Sequence, residues 1–287
     1  MASAELRIIN RRIKSVRSTK KITRAMELIA SSRIVKAQNR MKSSEAYFLL
    51  LSEIVQDLIN NGAVPKIEVK EGKEKILLLV LTSDRGLAGA YNTNILKIAD
   101  SRRKDLINEG KEVDLITVGK KATGYFSYRK IDISSSYEGI TDNPIFDDVL
   151  NVMRSVTEKY YSGDVSSIEI IYTNYKSALT QEAMIKKVLP LDPIEVEKKS
   201  SVTFEPSGEE VLNSMLPKYA NAAFFNALLN SSTSEHAARM RAMKAATDNA
   251  EELIKVLAMK SNQARQAEIT TEISEIVGGS EALSDAS

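Results

Sequence analysis

Apolar residues near the amino terminus recur by alternate steps of three and four, the spacing of the a and d positions of a heptad. This spacing predicts a helix that packs on another helix. Because no Gly or Pro occurs before Gly62, one unbroken helix is predicted from Leu6 to Leu58. At about 1.5 Å per residue, such a helix is roughly 80 Å long. The apolar positions are Leu6, Ile9, Ile13, Val16, Ala30, Ile34, Ala37, Met41, Phe48, Leu51, Val55 and Leu58, and polar interruptions occur at Lys20, Thr23, Glu27 and Ser44.

The same spacing returns near the carboxyl end, where no Gly or Pro occurs from Lys218 to Val277. We expect a second long helix that pairs antiparallel with the first, since short sequential connections are preferred. Two separate arms, each dimerising with a copy of itself, remain the alternative. The positions in this second series are Met215, Tyr219, Ala222, Asn226, Leu229, Thr233, His236, Met240, Met243, Thr247, Ala250, Ile254, Leu257, Ser261 and Ala264.

Between these helices, short apolar runs alternate with helical patterns, which predicts a small α/β layer with a largely parallel sheet. The unbroken apolar run from Lys75 to Leu81 suits a strand that is buried on both faces. The domains are predicted at 1–62, 74–190 and 208–287. Further strands are predicted at 113–118, 131–133, 168–175 and 182–189. Helices are predicted at 90–108, at 119–126 and from Asp142-Asn143-Pro144 to Tyr161, and a connector at 191–208. The last helix is predicted to begin at about 208–215, with Pro217 in or just after its first turn.

Charge changes the picture of the first helix. The chain has 287 residues and a net charge of only +2, but basic residues crowd the stretch from Arg7 to Lys42, where Glu27 alone opposes them. Such a surface favours an anionic partner, which could be nucleic acid, phospholipid or an acidic protein. Ile22, Ala25, Met26 and Ile29 lie on another face and indicate a second partner there. The basic residues are Arg7, Arg11, Arg12, Lys14, Arg17, Lys20, Lys21, Arg24, Arg33, Lys36, Arg40 and Lys42.

Composition excludes several kinds of chemistry. The chain contains no Cys, so disulfides, thiol catalysis and thiolate metal sites are excluded. No stretch reaches the ~20 apolar residues that a membrane-spanning helix needs, and the first residues lack the apolar core of a secretory signal. They are basic and amphipathic, as in a mitochondrial transit peptide, but their heptad pattern continues to residue 58. We therefore expect a mature chain that faces the cytosol.

Two short segments are candidates for reaction sites. Residues Ser83 to Gly89 follow a buried strand and could cradle a phosphate, but their glycine spacing fits neither a P-loop nor a dinucleotide-binding loop. A plain strand-to-helix turn, with Asp84 as a cap, is favoured. Ser234, Glu235 and His236 are neighbours on a helix and point in different directions, so they cannot form a catalytic triad. His236 is expected to pack at the helix interface.

Three segments, in chain order, resemble the gamma subunit of F-type (bacterial-type) ATP synthases. Residues Thr19 to Ala30, followed by Lys36-Ala37-Gln38, resemble its N-terminal signature. Residues Ser83 to Leu87, followed by Gly89 and Asn92, resemble its central motif. Residues Ser234 to Ala250 and Ala264 to Ile273 resemble its C-terminal signature. Together these segments span nearly the whole chain.

The resemblance implies an α/β protein whose terminal helices form a long antiparallel two-helix coiled coil, with a small Rossmann-like α/β domain in the middle. It implies a central rotor shaft inside a ring of three alpha and three beta subunits, in contact with the epsilon subunit and the membrane rotor ring. Rotation would couple transmembrane ion flow to ATP synthesis or hydrolysis on the beta subunits. The chain would be a non-catalytic subunit without a cofactor, since ATP, ADP and Mg²⁺ belong to the alpha and beta subunits. It would lie peripherally on the cytoplasmic face of the bacterial cell membrane.

The resemblance also implies which residues contact partners. One group would meet a catch loop of a beta subunit, a second would face an acidic beta-subunit loop, and a third would turn in an apolar sleeve. Respectively, these groups are Arg265, Gln266 and Thr270; Lys20, Arg24 and Met26; and Ile273, Ile276 and Val277. Two other functions stay open: a basic coiled coil that binds nucleic acid, with steeply salt-dependent affinity, and a scaffold that lies on a membrane surface.

Overall fold

The computed structural model describes residues 2–67, 74–191 and 207–284. The structure contains two long terminal helices and a mixed α/β sheet, which is the predicted fold class. The elements are α1 (Ala2–Asn60), β1 (Lys75–Leu81), α2 (Tyr91–Asn108), β2 (Glu112–Val118), α3 (Lys120–Tyr128), β3 (Ser135–Tyr137), α4 (Phe146–Tyr161), β4 (Ser167–Tyr175), β5 (Gln181–Leu189) and α5 (Gly208–Ser284).

The chain forms two compact units, and both long helices contribute to each. The helical unit comprises residues 1–29 and 240–287, and the sheet unit comprises residues 30–239. The predicted domain limits at 1–62, 74–190 and 208–287 follow the ends of elements instead and remain a prediction. Within the described residues, no helix combines the length and the hydropathy that crossing a membrane requires.

The sheet has the strand order β3-β2-β1-β4-β5. The first four of these strands are parallel to their neighbours, whereas β5 runs antiparallel to β4. The order 3-2-1-4 is that of doubly wound dinucleotide-binding folds, in which the chain leaves the first strand in one direction and later returns on its other side. The carboxyl ends of β1 and β4 therefore lie side by side at the switch point of the sheet.

Both faces of the sheet are covered, which explains the unbroken apolar sequence of β1. Successive strand residues point to opposite faces. Leu77, Leu79 and Leu81 join a core with α4 and with parts of α1 and α5. Ile76, Leu78 and Val80 join a second core with α2 and α3. All of these β1 side chains are buried, so the central strand is held by apolar packing on either side.

In the helical unit, α1 and α5 pair antiparallel, as predicted. The hydroxyls of Thr23 and Thr247 are 2.8 Å apart, the Lys20 ammonium lies 3.0 Å from the Glu251 carboxylate, and Ser261 donates to Asn10 at 3.3 Å. Two of the positions that interrupt the apolar pattern, Lys20 and Thr23, are thus seam positions filled by polar pairs. The buried residues of this unit are Ile13, Thr23, Met243, Thr247, Ala250 and Leu257.

The predicted strand at 131–133 is wrong, and β3 begins later, at Ser135. The turn that ends α3 explains the difference, since Lys130 has a φ of 56° and Ile131 N–H donates back to Phe126 O. The chain reaches the edge of β2 only when Ser134 N–H donates to Leu115 O. Ile131 and Ile133 are apolar because they pack on the second core, and they take no part in the sheet.

The predicted start of α4 at Asp142-Asn143-Pro144 is also wrong. The helix begins at Phe146, and Asp148 in its first turn accepts a hydrogen bond from Ile145 N–H at 3.1 Å. Asp142 is engaged elsewhere, by a tertiary ion pair with Arg33. Asp142, which resembles a helix cap in the sequence, therefore forms a long-range contact instead.

The predicted place of Pro217 needs a correction as well. Since α5 begins at Gly208, Pro217 lies in its third turn and not in its first. The helix continues through this residue, and it also continues beyond Val277 through Gly278 and Gly279. Most of the predicted connector, residues 192–206, lies outside the described residues.

Candidate functional site

The loop after β1 is a tight polar turn. Ser83 N–H and Ser83 Oγ each lie 3.0 Å from Asn92 Oδ1, while Asn92 Nδ2 donates to Ser83 Oγ at 2.8 Å. Leu87 is held with a φ of 62° although it is exposed. The motif residues Ser83 and Asn92 thus fix the loop to the first turn of α2.

Asp84 is a cap, as predicted, but not of the helix that follows it. Its Oδ1 accepts from Lys120 N–H, at the start of α3, at 3.1 Å. Its Oδ2 accepts from Gly139 N–H and from the Thr141 hydroxyl, both at 3.0 Å. The start of α2 has no side-chain cap, since Ala90 precedes it. Asp84 therefore ties together three segments at the carboxyl edge of the sheet.

Helix α5 lies across the switch point, where open α/β sheets usually bind their ligands. The last four residues of β4 extend beyond its pairing with β1. Their free edge bonds to α5: Thr173 N–H donates to Ser231 Oγ at 3.4 Å, Tyr175 N–H donates to Asn230 Oδ1 at 3.3 Å, and Ser234 Oγ donates to Thr173 O at 3.3 Å. Side chains of α5 thus take the place of the missing neighbouring strand.

A buried ion pair stands one turn further along α5. Arg239 donates to Glu235 Oε1 at 2.6 Å, and its Nε and terminal nitrogen lie 3.4 and 3.3 Å from Gly86 O. Glu235 is only 1% exposed. Burial raises the pKa of Glu235 to about 7, against the lowering effect of Arg239. Arg239 therefore joins α5 to the loop after β1 through a carbonyl oxygen.

His236 lies on the other side of α5, where it meets the loop before α4. Its Nε2 is 3.3 Å from Asp142 O. Burial lowers the pKa of His236, so the ring is neutral near pH 7. Burial would raise the pKa of Asp142, but its ion pair with Arg33 of α1 outweighs this and lowers that pKa. His236 is thus an interfacial residue, as predicted.

The three neighbours Ser234, Glu235 and His236 contact three different segments, as expected for adjacent residues of a helix. Sequence reasoning missed the pair Glu235–Arg239, although its i, i+4 spacing was a usable signal. It also missed the run of small polar residues before it, Asn230 to Ser234. Among the described residues, no group of three His, Asp or Glu side chains could hold a metal ion.

The predicted partner group of Lys20, Arg24 and Met26 lies on α1 in the helical unit. Lys20 pairs with Glu251, and Arg24 is exposed and pairs with Glu27 at 2.8 Å. Met26 is half-buried. On the same turns, Ile22 is 58% exposed and Ile29 is 56% exposed, so the apolar face that the sequence indicated is accessible in this chain.

The other two predicted groups lie near the end of α5. Antiparallel pairing from Asn10 and Ser261 brings the start of α1 opposite about Ile269, and every residue from 269 to 280 is exposed. Arg265 and Gln266 are exposed opposite the first turns of α1. The structure does not bring them to Lys20, since the fourteen residues from Glu251 to Arg265 span about 20 Å of helix. The exposed residues of the two groups are Arg265, Gln266, Thr270, Ile273, Ile276 and Val277.

Comparisons with known proteins decide the family. Residues 5–283 match the family described as ATP synthase. An ATP synthase gamma chain of Streptomyces griseus is 44% identical over 99% of this chain and 97% of its own length. One of Kineococcus radiotolerans is 42% identical over 98% of this chain and 97% of its own length. The chain belongs to the ATP synthase gamma chain family. It is therefore a subunit of an ATP synthase.

Solved structures agree with this family. A chain from the central stalk and c-ring of the Tetrahymena thermophila mitochondrial ATP synthase is 25% identical, with a TM-score of 0.56 over 78% of this chain and 99% of that chain. A chain of the Euglena gracilis mitochondrial ATP synthase, at 17% identity, has a TM-score of 0.74 over 98% of this chain and 95% of that chain, and supports the fold. The predicted resemblance, fold class and rotor-shaft role of a gamma chain are confirmed.

Proposed function

We propose that this gamma chain is a non-catalytic shaft whose rotation couples transmembrane ion flow to ATP synthesis or hydrolysis on partner subunits. ATP, ADP and Mg²⁺ would bind to the alpha and beta subunits, three of each, around the helical unit. The observation that carries the proposal is the occupied switch point of the sheet. Asn230, Ser231 and Ser234 lie at the switch point, where folds of this kind bind their ligands, which supports the proposal that catalysis belongs to other chains.

The helical unit supports the role of a shaft that turns against a surrounding ring. Its outer surface carries many charged and polar residues, and the exposed apolar residues among them form small groups, such as Ile22 with Ile29. Exposed ion pairs are worth about 0–1 kcal/mol each, so polar contacts to a ring could break and re-form as the shaft turns. A wide apolar interface would hold one angular position too tightly.

Named contacts follow from this arrangement. Arg265, Gln266 and Thr270 would meet a catch loop of a beta subunit, because they are exposed where the two-helix pairing ends. Lys20, Arg24 and Met26 would face an acidic loop of a beta subunit, which suits their charge. Ile273, Ile276 and Val277 would turn in an apolar sleeve, since their side chains are exposed without a partner helix.

We further propose that the sheet unit contacts an epsilon subunit and a membrane rotor ring. The Tetrahymena relative, which belongs to a central stalk described together with a c-ring, supports this assignment. The bacterial relatives support a peripheral location on the cytoplasmic face of the cell membrane.

The proposal is tested by affinity purification of the tagged chain from its own membranes under mild conditions. Subunit masses and ATP hydrolysis are then measured on the eluate. We expect two larger partner chains in threefold excess over this chain, together with ATPase activity. Recovery of the chain alone, or of nucleic acid without ATPase activity, would contradict the proposal. Loss of partners from a matched purification of an untagged strain excludes adsorption to the resin.

A further inference from the structure

We propose that residues 230–239 of α5 form a polar key that fixes the rotational position of α5 in the sheet unit, and that Arg239 is its positioning residue. The key would pass torque between α5 and the sheet. This inference rests on the proposed function as a shaft, and it names the contacts that hold α5 to the rest of the sheet unit.

The burial of this segment is unusual for a helix. Every residue from 227 to 239 is buried, whereas a helix on the surface of a domain keeps a polar face in solvent. The buried residues nevertheless include Asn230, Ser231, Thr233, Ser234 and Glu235. Polar side chains that are buried on all sides need partners. Asn230, Ser231 and Ser234 find theirs on β4, whereas Thr233 and Glu235 bond within α5 to Leu229 O and to Arg239.

The bonds of the key lie at two points along the helix. At the first point, Asn230, Ser231 and Ser234 bond to backbone groups of Thr173 and Tyr175 at the free edge of β4. At the second point, Arg239 bonds to Gly86 O in the loop after β1. The two neighbouring strands at the switch point are thus held by one helix.

Arg239 suits a positioning role because its guanidinium is planar and its donors have a fixed geometry. One terminal nitrogen is bound by Glu235 on the same helix, and the Nε side faces Gly86 O. The loop that carries the acceptor Gly86 O is itself fixed, since Ser83 Oγ donates to the neighbouring Arg85 O at 2.6 Å and bonds to Asn92. The chain of contacts therefore runs from α5 to the first turn of α2 through Arg239.

The hydrophobic effect has no direction, so apolar packing resists rotation of a helix about its own axis only through the steric fit of its side chains. Hydrogen bonds weaken steeply when their angle changes. Polar contacts at separate points on the circumference of α5 therefore resist twisting in a way that Leu or Ala side chains at the same positions would not. This is the physical reason for keeping a buried Arg–Glu pair in a helix that is otherwise rich in Ala.

The test compares Arg239→Met with Arg102→Met in the complete membrane-bound complex. Arg102 is the control, because it also pairs with a buried carboxylate in the sheet unit, Glu169 at 2.8 and 2.5 Å, but lies on α2 and not on the key. Both substitutions leave a buried carboxylate without its partner. We measure the number of ions pumped for each ATP hydrolysed, per assembled complex, so that reduced assembly does not affect the reading.

We expect Arg239→Met to lose ion pumping while it retains ATP hydrolysis, and Arg102→Met to keep the ratio of the wild type. Arg239→Lys, which can still pair with Glu235, should recover part of the pumping. If the complex with Arg239→Met does not assemble, Ser231→Ala is measured instead and should lower the number of ions pumped per ATP. The proposal would be overturned if the number of ions pumped per ATP were unchanged in whichever of these variants assembles. An equal loss in Arg102→Met would also overturn it.

Failure of this inference is distinct from failure of the proposed function. A wild-type complex that hydrolyses ATP without pumping ions would contradict the shaft itself. A wild-type complex that pumps, together with an Arg239→Met complex that pumps equally well, would contradict only the key.

Discussion

The carboxyl group of Glu235 is buried in the sheet unit beside the charged residues Arg239, Asp142 and Asp84 and beside the Tyr91 ring. Burial raises its pKa from 4.5 in the unfolded chain to about 7. Between these two values the folded state binds more protons than the unfolded state. The contribution of Glu235 to stability is therefore complete below about pH 4.5 and is lost as the pH rises through about 7.

We predict that Glu235→Gln removes this pH dependence from the sheet unit. At about 1.36 kcal/mol per pKa unit, the shift corresponds to roughly 3 kcal/mol. The free energy of unfolding, measured with urea at about pH 5 and about pH 8, should therefore fall less in the variant than in the wild type. His236 has a lowered pKa and an opposite slope, but it is present in both proteins and cancels. Parallel profiles for the two proteins would contradict the prediction.

Gly119 has a φ of 99°, and an added Cβ would lie 2.2 Å from Thr82 O. We predict that Gly119→Ala destabilises the chain by on the order of 3 kcal/mol or more, because both the backbone angle and the close approach oppose a side chain. Gly110→Ala is the matched control: its φ is 80°, and nothing lies within 4 Å of the added atom, so it should cost about 1 kcal/mol. Denaturant melts that give equal costs would disprove the packing argument.

Met26 is half-buried in the helical unit, next to the exposed Ile22 and Ile29. We predict that Met26→Lys lowers the number of ions pumped per ATP hydrolysed, because the added charge would pair with an acidic loop of the ring and hold one angular position. Met259→Lys, an exposed position on α5, serves as the control and should pump normally. Normal pumping by Met26→Lys in membrane vesicles would count against the acidic loop.

The residues that sequence reasoning misjudged are those with distant partners. Asp84 was correctly identified as a cap, but the helix that it caps begins at Lys120. Asp142 resembled the start of a helix because a carboxylate before a Pro is common there, yet it pairs with Arg33. Local patterns cannot separate these uses, since the same carboxylate satisfies near and far donors equally well.

At the scale of elements, strong periodicity made prediction reliable. The limits of β1 and the extent of α1 follow from apolar runs and from the position of Gly62, because those signals are local. The three-residue strand β3 has no such signal: its sequence is Ser-Ser-Tyr, and pairing with β2 alone defines it. The crossing of the switch point by α5 could not be predicted, since it depends on which sheet edge remains free.

The end of α5 can be divided by truncation. Residues 278–280 lie beyond the start of α1 and are exposed, so we predict that removing the chain after Val277 is tolerated better than removing it from Arg265 onward. The longer truncation also removes the turns of α5 that lie opposite the beginning of α1. Assembly with alpha and beta chains, followed by gel filtration and ATPase assays, should rank the two variants. Equal loss of assembly would refute this order.

At the scale of the whole molecule, the two units differ in how much they bury. The described part of the helical unit buries few side chains, such as Ile13 and Leu257, whereas β1 is buried completely over Ile76–Leu81. Opening that exposes little apolar surface requires little free energy. In the free chain we predict faster amide hydrogen exchange for residues 4–29 than for β1. Similar protection in both regions, read by mass spectrometry, would contradict this reasoning.

The continuity of α5 has a consequence for how this chain can vary in length. Each residue of a helix advances the direction of the next side chain by about 100° and the position by about 1.5 Å. One residue inserted after Arg239 would redirect every following side chain of α5 by that angle, so that a face built for one neighbour would be presented to another. Seven inserted residues would leave an error of only about 20°. Natural changes in the length of this helix should therefore come in steps of seven residues, matched by equal changes in α1, with which it pairs.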